Sequence, residues 1–357
     1  MSNSQKFMQS AIDLAKEGIF SCKPNPRVGC VLVKGNKIIG QGFHHKTGED
    51  HAEINAIKNA NDETKGATAY ISLEPCTHKG KTPPCVDALI AAEIKEVFFA
   101  MVDPNPKVSG QSIKILEEAG VKVSYGLLEQ EAKELNIGFC HRMSNNRPYI
   151  RTKIGASIDG RTALKNGKSQ WITSEESRQD VQQWRARSCA VVTSASTVLM
   201  DDPSLNVRLP NFSDEYQPTR LVLDSQLKTK GSEKIFNLSG ENFVYTLMSN
   251  QPSGPREDVL FVNANNGHVS LEDITIDLAN KEFNEVLIEA GPNLNGAFLN
   301  QGLIDEIIVY LAPSILGNSS RGMFELPILN ELSESFRFYI ESIDQIGTDL
   351  RLSLIHI

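Results

Sequence analysis

The strongest constraint on this chain is a regular alternation of helix-period and strand-like segments, interrupted once. Phe7, Ala11, Leu14 and Ala15 give an opening helix a single apolar face. The runs GCVLV (29–33) and KIIGQG (37–42) flank a Gly35-Asn36 turn and predict a β-hairpin. Segments 52–60, 86–92, 112–119 and 129–142 then read as helices, and 67–73, 96–101 and 121–125 as strands. The polar stretch MSNNRP (143–148) breaks the pattern and suits a linker. Beyond it the strand YIRTKI restarts the alternation. Helices are expected at 175–186 and 294–301, and strands at 190–193, 220–223, 243–247, 285–288, 306–311, 336–340 and 349–355. Two α/β domains meeting near Asn145, residues 1–145 and 146–357, follow from this pattern, each a sheet covered by helices. A length of 357 residues accommodates both.

Composition narrows the class. A 40% apolar fraction excludes a disordered chain, and no window approaches the roughly 18 apolar residues of a membrane span. Asp13 and Glu17 fall where a signal peptide would be apolar, so a cytoplasmic protein is expected. With 36 basic and 44 acidic residues, the chain lacks the basic excess of a nucleic-acid surface. Six cysteines in such a length do not make a disulfide scaffold, so thiols or metal ligands are expected.

The sharpest chemical signal is His51-Ala52-Glu53, followed by Pro75-Cys76 and Pro84-Cys85. One imidazole and two thiolates are ligands that tetrahedral zinc accepts, with a fourth position left for water. Glu53 is placed to take that water's proton and pass it to a leaving amine. Positions i and i+2 of a regular helix point ~200° apart, so His51 and Glu53 converge only at a helix end. Cys85 follows Pro83-Pro84 and opens the apolar run VDALIAA, a good helix start. A helix N-terminus also favours thiolate and hydroxide. His78 is an alternative fourth ligand that would close the site into a structural one. Cys22, Cys30, Cys140 and Cys189 read as core residues.

These residues resemble the zinc-dependent nucleobase deaminases, whose pattern is H-x-E followed by P-C-x-x-C. Here eight residues, THKGKTPP, separate Cys76 from Cys85 instead of two. With that spacing, the strings SCKPNPRVGCVLV, GEDHAEINA, LEPCTHKGKTPPC and DPNPKVSG are similar to the deaminase half of the bifunctional riboflavin-biosynthesis enzymes, over about residues 4–142. The loop Ser109-Gly110-Gln111-Ser112 departs from the family pattern. The resemblance implies a cytidine-deaminase-like α/β/α sandwich, zinc on His51, Cys76 and Cys85, and Glu53 as proton shuttle. It implies substrate contacts at Asn25, His44, Lys81, Asn105 and Lys107. The two lysines also suit a phosphate on chemical grounds, whereas Asn25 equally suits an Asx-turn before proline.

Residues 147–357 contain no G-x-G-x-x-G, so a Rossmann site is not indicated. EAGPNLNGAFL reads as strand, turn and helix, either a phosphate-holding helix start or an ordinary βα loop. Together with RTKIGASIDGRTAL, SQWITSEESR, TSASTVLMDDPSLNVR and VLDSQ, it is similar to the reductase half of the same family. That likeness implies a dihydrofolate-reductase-like α/β domain using NADPH to reduce a ribosyl group to ribityl. It places Gly155, Ser157, Trp171, Thr197, Asp201 and Ser225 on the cofactor, together with Gly291, Pro292, Asn293, Leu294, Asn295, Gly296 and Ala297. It places Lys153, Ser169, Arg185, Leu205, Arg208 and Glu289 on the substrate. Arg185 and Arg208 suit a phosphate by guanidinium geometry. Lys153 and Asp201 remain alternative proton-transfer groups, and Lys228 and Lys230 lie near VLDSQ, where a 2′-phosphate would call for cations.

The expected function is therefore deamination of a phosphorylated diaminopyrimidine followed by reduction, with zinc and NADPH as cofactors. The substrate is a small molecule, without nucleic-acid or membrane partners, and a homo-oligomer is expected. A base deaminase acting on tRNA would need a basic stripe, which the acidic balance disfavours. A zinc-stabilised binding module would have no use for the non-ligand carboxylate of Glu53.

Overall fold

The computed structural model describes residues 2–77, 83–250 and 256–357. The chain divides into two compact units, Met1–Arg147 and Pro148–Ile357.

The first unit is built on a five-stranded sheet. Helix α1 (Asn3–Glu17) starts at a capping box in which Ser2 and Gln5 satisfy each other's backbone N–H. Strands β1 (Gly29–Lys34) and β2 (Lys37–Phe43) form the expected hairpin, with Gly35 at φ +61°. There follow α2 (Ala52–Asn59), β3 (Thr68–Ile71), α3 (Cys85–Ala91), β4 (Glu96–Phe99), α4 (Gln111–Glu118) and β5 (Lys122–Tyr125). Helices α5 (Glu129–Leu135) and α6 (Ile137–Asn145) close the unit. Strand order is β2-β1-β3-β4-β5, with β3, β4 and β5 parallel. The period-2 alternation of β1 sorts the layers. Cys30 and Leu32 face the core under α2, α3 and α4, while Val31 and Val33 face Met8, Ala11 and Ile12 of α1 and Phe139 of α6. Gly29 is required where α1 crosses the sheet, since a Cβ there would lie 2.0 Å from the Ala11 carbonyl oxygen.

Two expectations need correction here. The helix expected over 129–142 is two helices, because buried Asn136 uses its side chain on Arg27: Oδ1 accepts the Arg27 N–H at 2.8 Å and Nδ2 donates to the Arg27 carbonyl at 2.9 Å. The residues expected as a linker from Met143 are helical through Asn145, and Asn146 ends the helix at φ +53°.

The second unit contains a nine-stranded sheet. Its elements are β6 (Tyr149–Ser157), α7 (Glu175–Arg187), β7 (Ala190–Ser194), α8 (Ala195–Asp201), β8 (Thr219–Leu223), β9 (Asn242–Leu247) and β10 (Val259–Val262). A two-residue pair, β11 (Ala264–Asn265) and β12 (His268–Val269), precedes α9 (Leu271–Asn280), β13 (Glu285–Ile288), α10 (Pro292–Asn300) and β14 (Glu306–Ala312). The hairpin β15 (Phe338–Ile346) and β16 (Asp349–His356) ends the chain. The order is β10-β9-β8-β7-β13-β6-β14-β16-β15, parallel as far as β14 and antiparallel in the hairpin. Helices α9 and α10 bury Ile274, Leu278 and Phe298 on one face, and Val181 of α7 and Val198 of α8 pack on the other. The strand expected at 336–340 instead spans Phe338–Ile346, held in register by β16. Among the described residues no helix is long and apolar enough to cross a membrane.

Candidate active sites

In the first unit, the end of β3 and the starts of α2 and α3 bring three ligand-type atoms together. His51 is the residue preceding α2 and Cys85 the first residue of α3. His51 Nδ1 lies 3.2 Å from Cys85 Sγ and 3.5 Å from Cys76 Sγ, and the Cys85 N–H points to Cys76 Sγ at 3.3 Å. The ligand atoms of all three lie within 4.8 Å of one another. The Cys76 thiol is pulled down to about 4, chiefly by the hydrogen bond from Cys85, with His51 assisting against burial. Cys85, the donor in that bond, is pushed up, and His51 is raised by its bond with Cys76. Three groups sharing protons in this way are the donor set that a soft divalent cation displaces protons from.

Glu53 stands one helical step inside α2 and is 3% exposed. Burial, with the Cys76 charge next, raises its carboxyl to about 7. Its Oε2 is buried without a hydrogen-bond partner, which is costly unless something else meets it. The donor set and this orphan oxygen together fit a metal-bound water.

Beside them, Asn25 Nδ2 donates to His44 Nε2 at 3.0 Å, and His44 Nδ1 lies 3.2 Å from the Asp50 carbonyl oxygen. The His44 ring meets that of His51 edge-on, with centroids 5.2 Å apart. Asn25 and His44 are thus joined next to the ligand cluster. Asn105 is half-buried and Lys107 exposed, on the loop after β4. Lys81 and His78 lie outside the described residues. Of the cysteines expected in the core, Cys22, Cys30 and Cys189 are buried and Cys140 is half-buried.

The second unit holds a cavity of about 1970 Å³ over the C-terminal ends of its parallel strands. Lys153, Ser169, Arg185, Leu205, Arg208 and Glu289 all line it. So do Gly155, Trp171, Thr197, Asp201 and Ser225, and most of the turn that starts α10: Gly291, Pro292, Asn293, Leu294, Gly296 and Ala297. Ser157 and Asn295 do not. Ser157 is fully buried and bonds Asp159 at 2.5 Å, and Asn295 accepts the Thr152 hydroxyl at 3.0 Å behind the cavity wall. Both support the lining rather than belong to it.

Glu289 is the electrostatic centre of the cavity, at 7% exposure. Arg185 binds it through Nε at 2.5 Å and Nη2 at 3.0 Å, and Lys153 Nζ reaches it at 3.0 Å. Burial lowers the Asp201 carboxyl's readiness to ionise, raising its pKa, with Arg321 opposing. Lys228 lines the cavity together with Lys234 and His268, neither of which sequence reading picked out. Lys234 opens a single 3-10 turn and His268 a two-residue strand, both too short for periodicity to mark them.

A fold of this kind, with a His-Cys-Cys cluster beside a buried glutamate and a second α/β unit holding a large cavity lined by charged and apolar side chains, defines a deaminase joined to a reductase. Family models agree: residues 1–101 match the cytidine and deoxycytidylate deaminase zinc-binding region, and residues 148–352 match the RibD C-terminal domain. The chain is 44% identical to the riboflavin biosynthesis protein RibD of Escherichia coli over 98% of both chains, and 41% identical to that of Haemophilus influenzae over 97% and 96%. Acinetobacter baumannii RibD superposes with a TM-score of 0.92 at 42% identity, covering 99% of each chain. A deaminase/reductase from Thermotoga maritima superposes at 0.90 with 31% identity, also over 99% of each. The chain belongs to the RibD family, the bifunctional deaminase/reductases of riboflavin biosynthesis.

Proposed function

We propose that residues 1–145 deaminate 2,5-diamino-6-(5-phosphoribosylamino)pyrimidin-4(3H)-one to 5-amino-6-(5-phosphoribosylamino)uracil, and that residues 146–357 reduce this product with NADPH to 5-amino-6-(5-phosphoribitylamino)uracil. The Thermotoga maritima relative is named for the same two activities. His51, Cys76 and Cys85 would hold one zinc ion, which when bound supplies an activated water. Glu53 would carry a proton from the attacking water to the 2-amino group, which would leave as ammonia while oxygen replaces nitrogen on the ring. Asn25 and His44 position the pyrimidine, and Lys81, Asn105 and Lys107 its polar substituents and phosphate. The observation that carries this reading is the unpartnered Glu53 oxygen beside three converging ligand atoms.

In the reductase, the turn at Gly291–Ala297 and the loops bearing Gly155, Trp171, Thr197, Asp201 and Ser225 would hold NADPH, which when bound supplies the hydride for C1′. Ser157 and Asn295 would act on it through the backbone they brace. Ser169, Leu205 and Arg208 face the substrate, with Arg185 and Glu289. Of the two proton donors considered, Lys153 is favoured because Glu289 fixes its Nζ inside the cavity. Cysteines used as thiols and candidate metal ligands rather than as a disulfide scaffold suit a reducing, cytoplasmic compartment. The exposed apolar side chains of Tyr339, Ile340 and Ile343 on edge strand β15 suit a homo-oligomer.

The test is Glu53→Gln in the full chain. Zinc content should stay at one per chain, ammonia release should fall by about 10²–10⁴-fold, and NADPH oxidation with pre-deaminated substrate should be unchanged. Ammonia release near the wild-type rate would remove Glu53 from the proton path.

A further inference from the structure

Glu74 immediately precedes Pro75-Cys76 and is 3% exposed, yet it faces away from the role of a ligand. The hydrogen bonds that its carboxylate accepts all come from one loop and the helix start that follows it. Oε2 accepts the Asp103 N–H at 3.0 Å and the Gly110 N–H at 2.9 Å. Oε1 accepts the Ser112 N–H at 3.2 Å and the Ser112 hydroxyl at 2.7 Å. The backbone joins in: the Glu74 N–H donates to the Met101 carbonyl at 3.0 Å.

The clamped loop is itself a chain of side-chain turns. Asp103 Oδ1 accepts the Asn105 N–H at 2.8 Å, and Asn105 Oδ1 accepts the Lys107 N–H at 3.1 Å. The loop ends at Gly110, φ +80°, which leads into α4 without a side-chain cap of its own. An uncapped helix start leaves N–H donors unsatisfied, and here a carboxylate from another strand end meets them.

We propose that Glu74 is a positioning residue for deamination. It ties the Asp103–Ser112 loop, with Asn105 and Lys107, to the three-residue segment that ends in Cys76, and so fixes the distance between substrate contacts and metal site. This rests on the reading that Asn105 and Lys107 face the substrate.

The donor pattern makes the proposal sharp. All of the partners are donors, so a shape-conserving amide fails: a Gln side chain has one accepting oxygen, and its NH₂ would face N–H groups. In the full chain, Glu74→Gln should therefore raise the deaminase KM at least tenfold, with zinc content intact and kcat changed less than KM. Amide exchange at 103–112 should accelerate. Asn105→Ala should raise KM as well, and its effect should shrink in the Glu74→Gln background, because both act on one contact. A Glu74→Gln protein that keeps its zinc and its KM, while Asn105→Ala raises KM, overturns the proposal, whatever happens to its melting temperature. If neither Asn105→Ala nor Lys107→Ala alters KM, the reading of the loop as a substrate contact is what fails. Should Glu74→Gln lose zinc, Ser112→Ala, which deletes a single hydroxyl donor, takes over: a KM two- to fivefold higher supports the clamp, and an unchanged KM overturns it.

Discussion

Replacing Glu289 by Gln removes the charge that holds two cations in the reductase cavity while leaving the side-chain volume unchanged. Burial pushes the Glu289 carboxyl up, but Arg185 and Lys153 outweigh it and hold it at about 2, against an ordinary value of 4.5. That gap, roughly 2.5 in pKa, corresponds to about 3 kcal/mol of folding stability at neutral pH. Because the folded value lies below the unfolded one, the stabilisation is complete above about pH 4.5 and is lost as pH falls toward 2. At pH 3 only about 1 kcal/mol should remain. Both tryptophans of the chain, Trp171 and Trp184, lie in the second unit, so their fluorescence reports its unfolding separately from the first. Denaturant titrations followed in this way should show Glu289→Gln destabilised by about 3 kcal/mol at pH 7, with the difference narrowing to about 1 kcal/mol at pH 3. The convergence has a simple cause: at low pH the wild-type protein also loses the charge between Arg185 and Lys153. An equal deficit at both pH values, or none at pH 7, would refute the account of this triad as an electrostatic one.

Two further outcomes test the reductase site. Gly296→Ala would bring a Cβ to 1.8 Å from the Glu325 carbonyl oxygen, so the 325 segment or α10 must shift. We expect a loss of about 1–3 kcal/mol in the same fluorescence assay and weaker NADPH binding by fluorescence titration. A variant as stable and as tight as wild type would mean that this wall yields freely. Arg208→Ala should raise the reductase KM for the phosphorylated substrate by about tenfold or more, with kcat little altered, because a guanidinium–phosphate contact would be lost. An unchanged KM would take Arg208 out of the phosphate site.

Much of both units was legible because periodicity and chemistry agreed. The β1–β2 hairpin was marked by Gly35-Asn36, and α3 by Pro83-Pro84 before an apolar run, so the positions of His51 and Cys85 at helix starts followed from sequence alone. What escaped, helices α8 and α9 aside, was set by tertiary contacts. Helices α8 and α9 went unread although Ser194 and Ser270 cap them, each accepting a backbone N–H at 3.2 Å. The break at Asn136 depends on Arg27, more than a hundred positions away. The loop around residues 235–240 has no local pattern because fully buried Arg220 organises it, donating to the carbonyls of Ile235, Leu238, Ser239 and Gly240. Glu74 was not singled out in the string LEPC, and only the fold reveals that its partners lie at 103–112.

The two units solve the same geometric problem in the same way. Parallel strands end together, and their backbone groups beyond the last ladder bond need partners, so the following loops are rich in Asx and Ser/Thr turns and helix starts. In the first unit, Cys76 follows β3 and the Asp103–Lys107 turns follow β4. In the second, Ser194 caps α8 directly after β7, Asp224 accepts the Thr229 N–H at 2.7 Å after β8, and Glu289 follows β13. Each unit also holds a buried carboxylate that binds other elements rather than solvent: Glu74 the loop and helix start after β4, and Glu289 Arg185 of α7 and Lys153 of β6. A charge so placed gains its hydrogen bonds only when those elements hold their native separation. The segments proposed to meet ligand would thereby be coupled to folding of the sheet, each site preorganised by the same contacts that stabilise its unit.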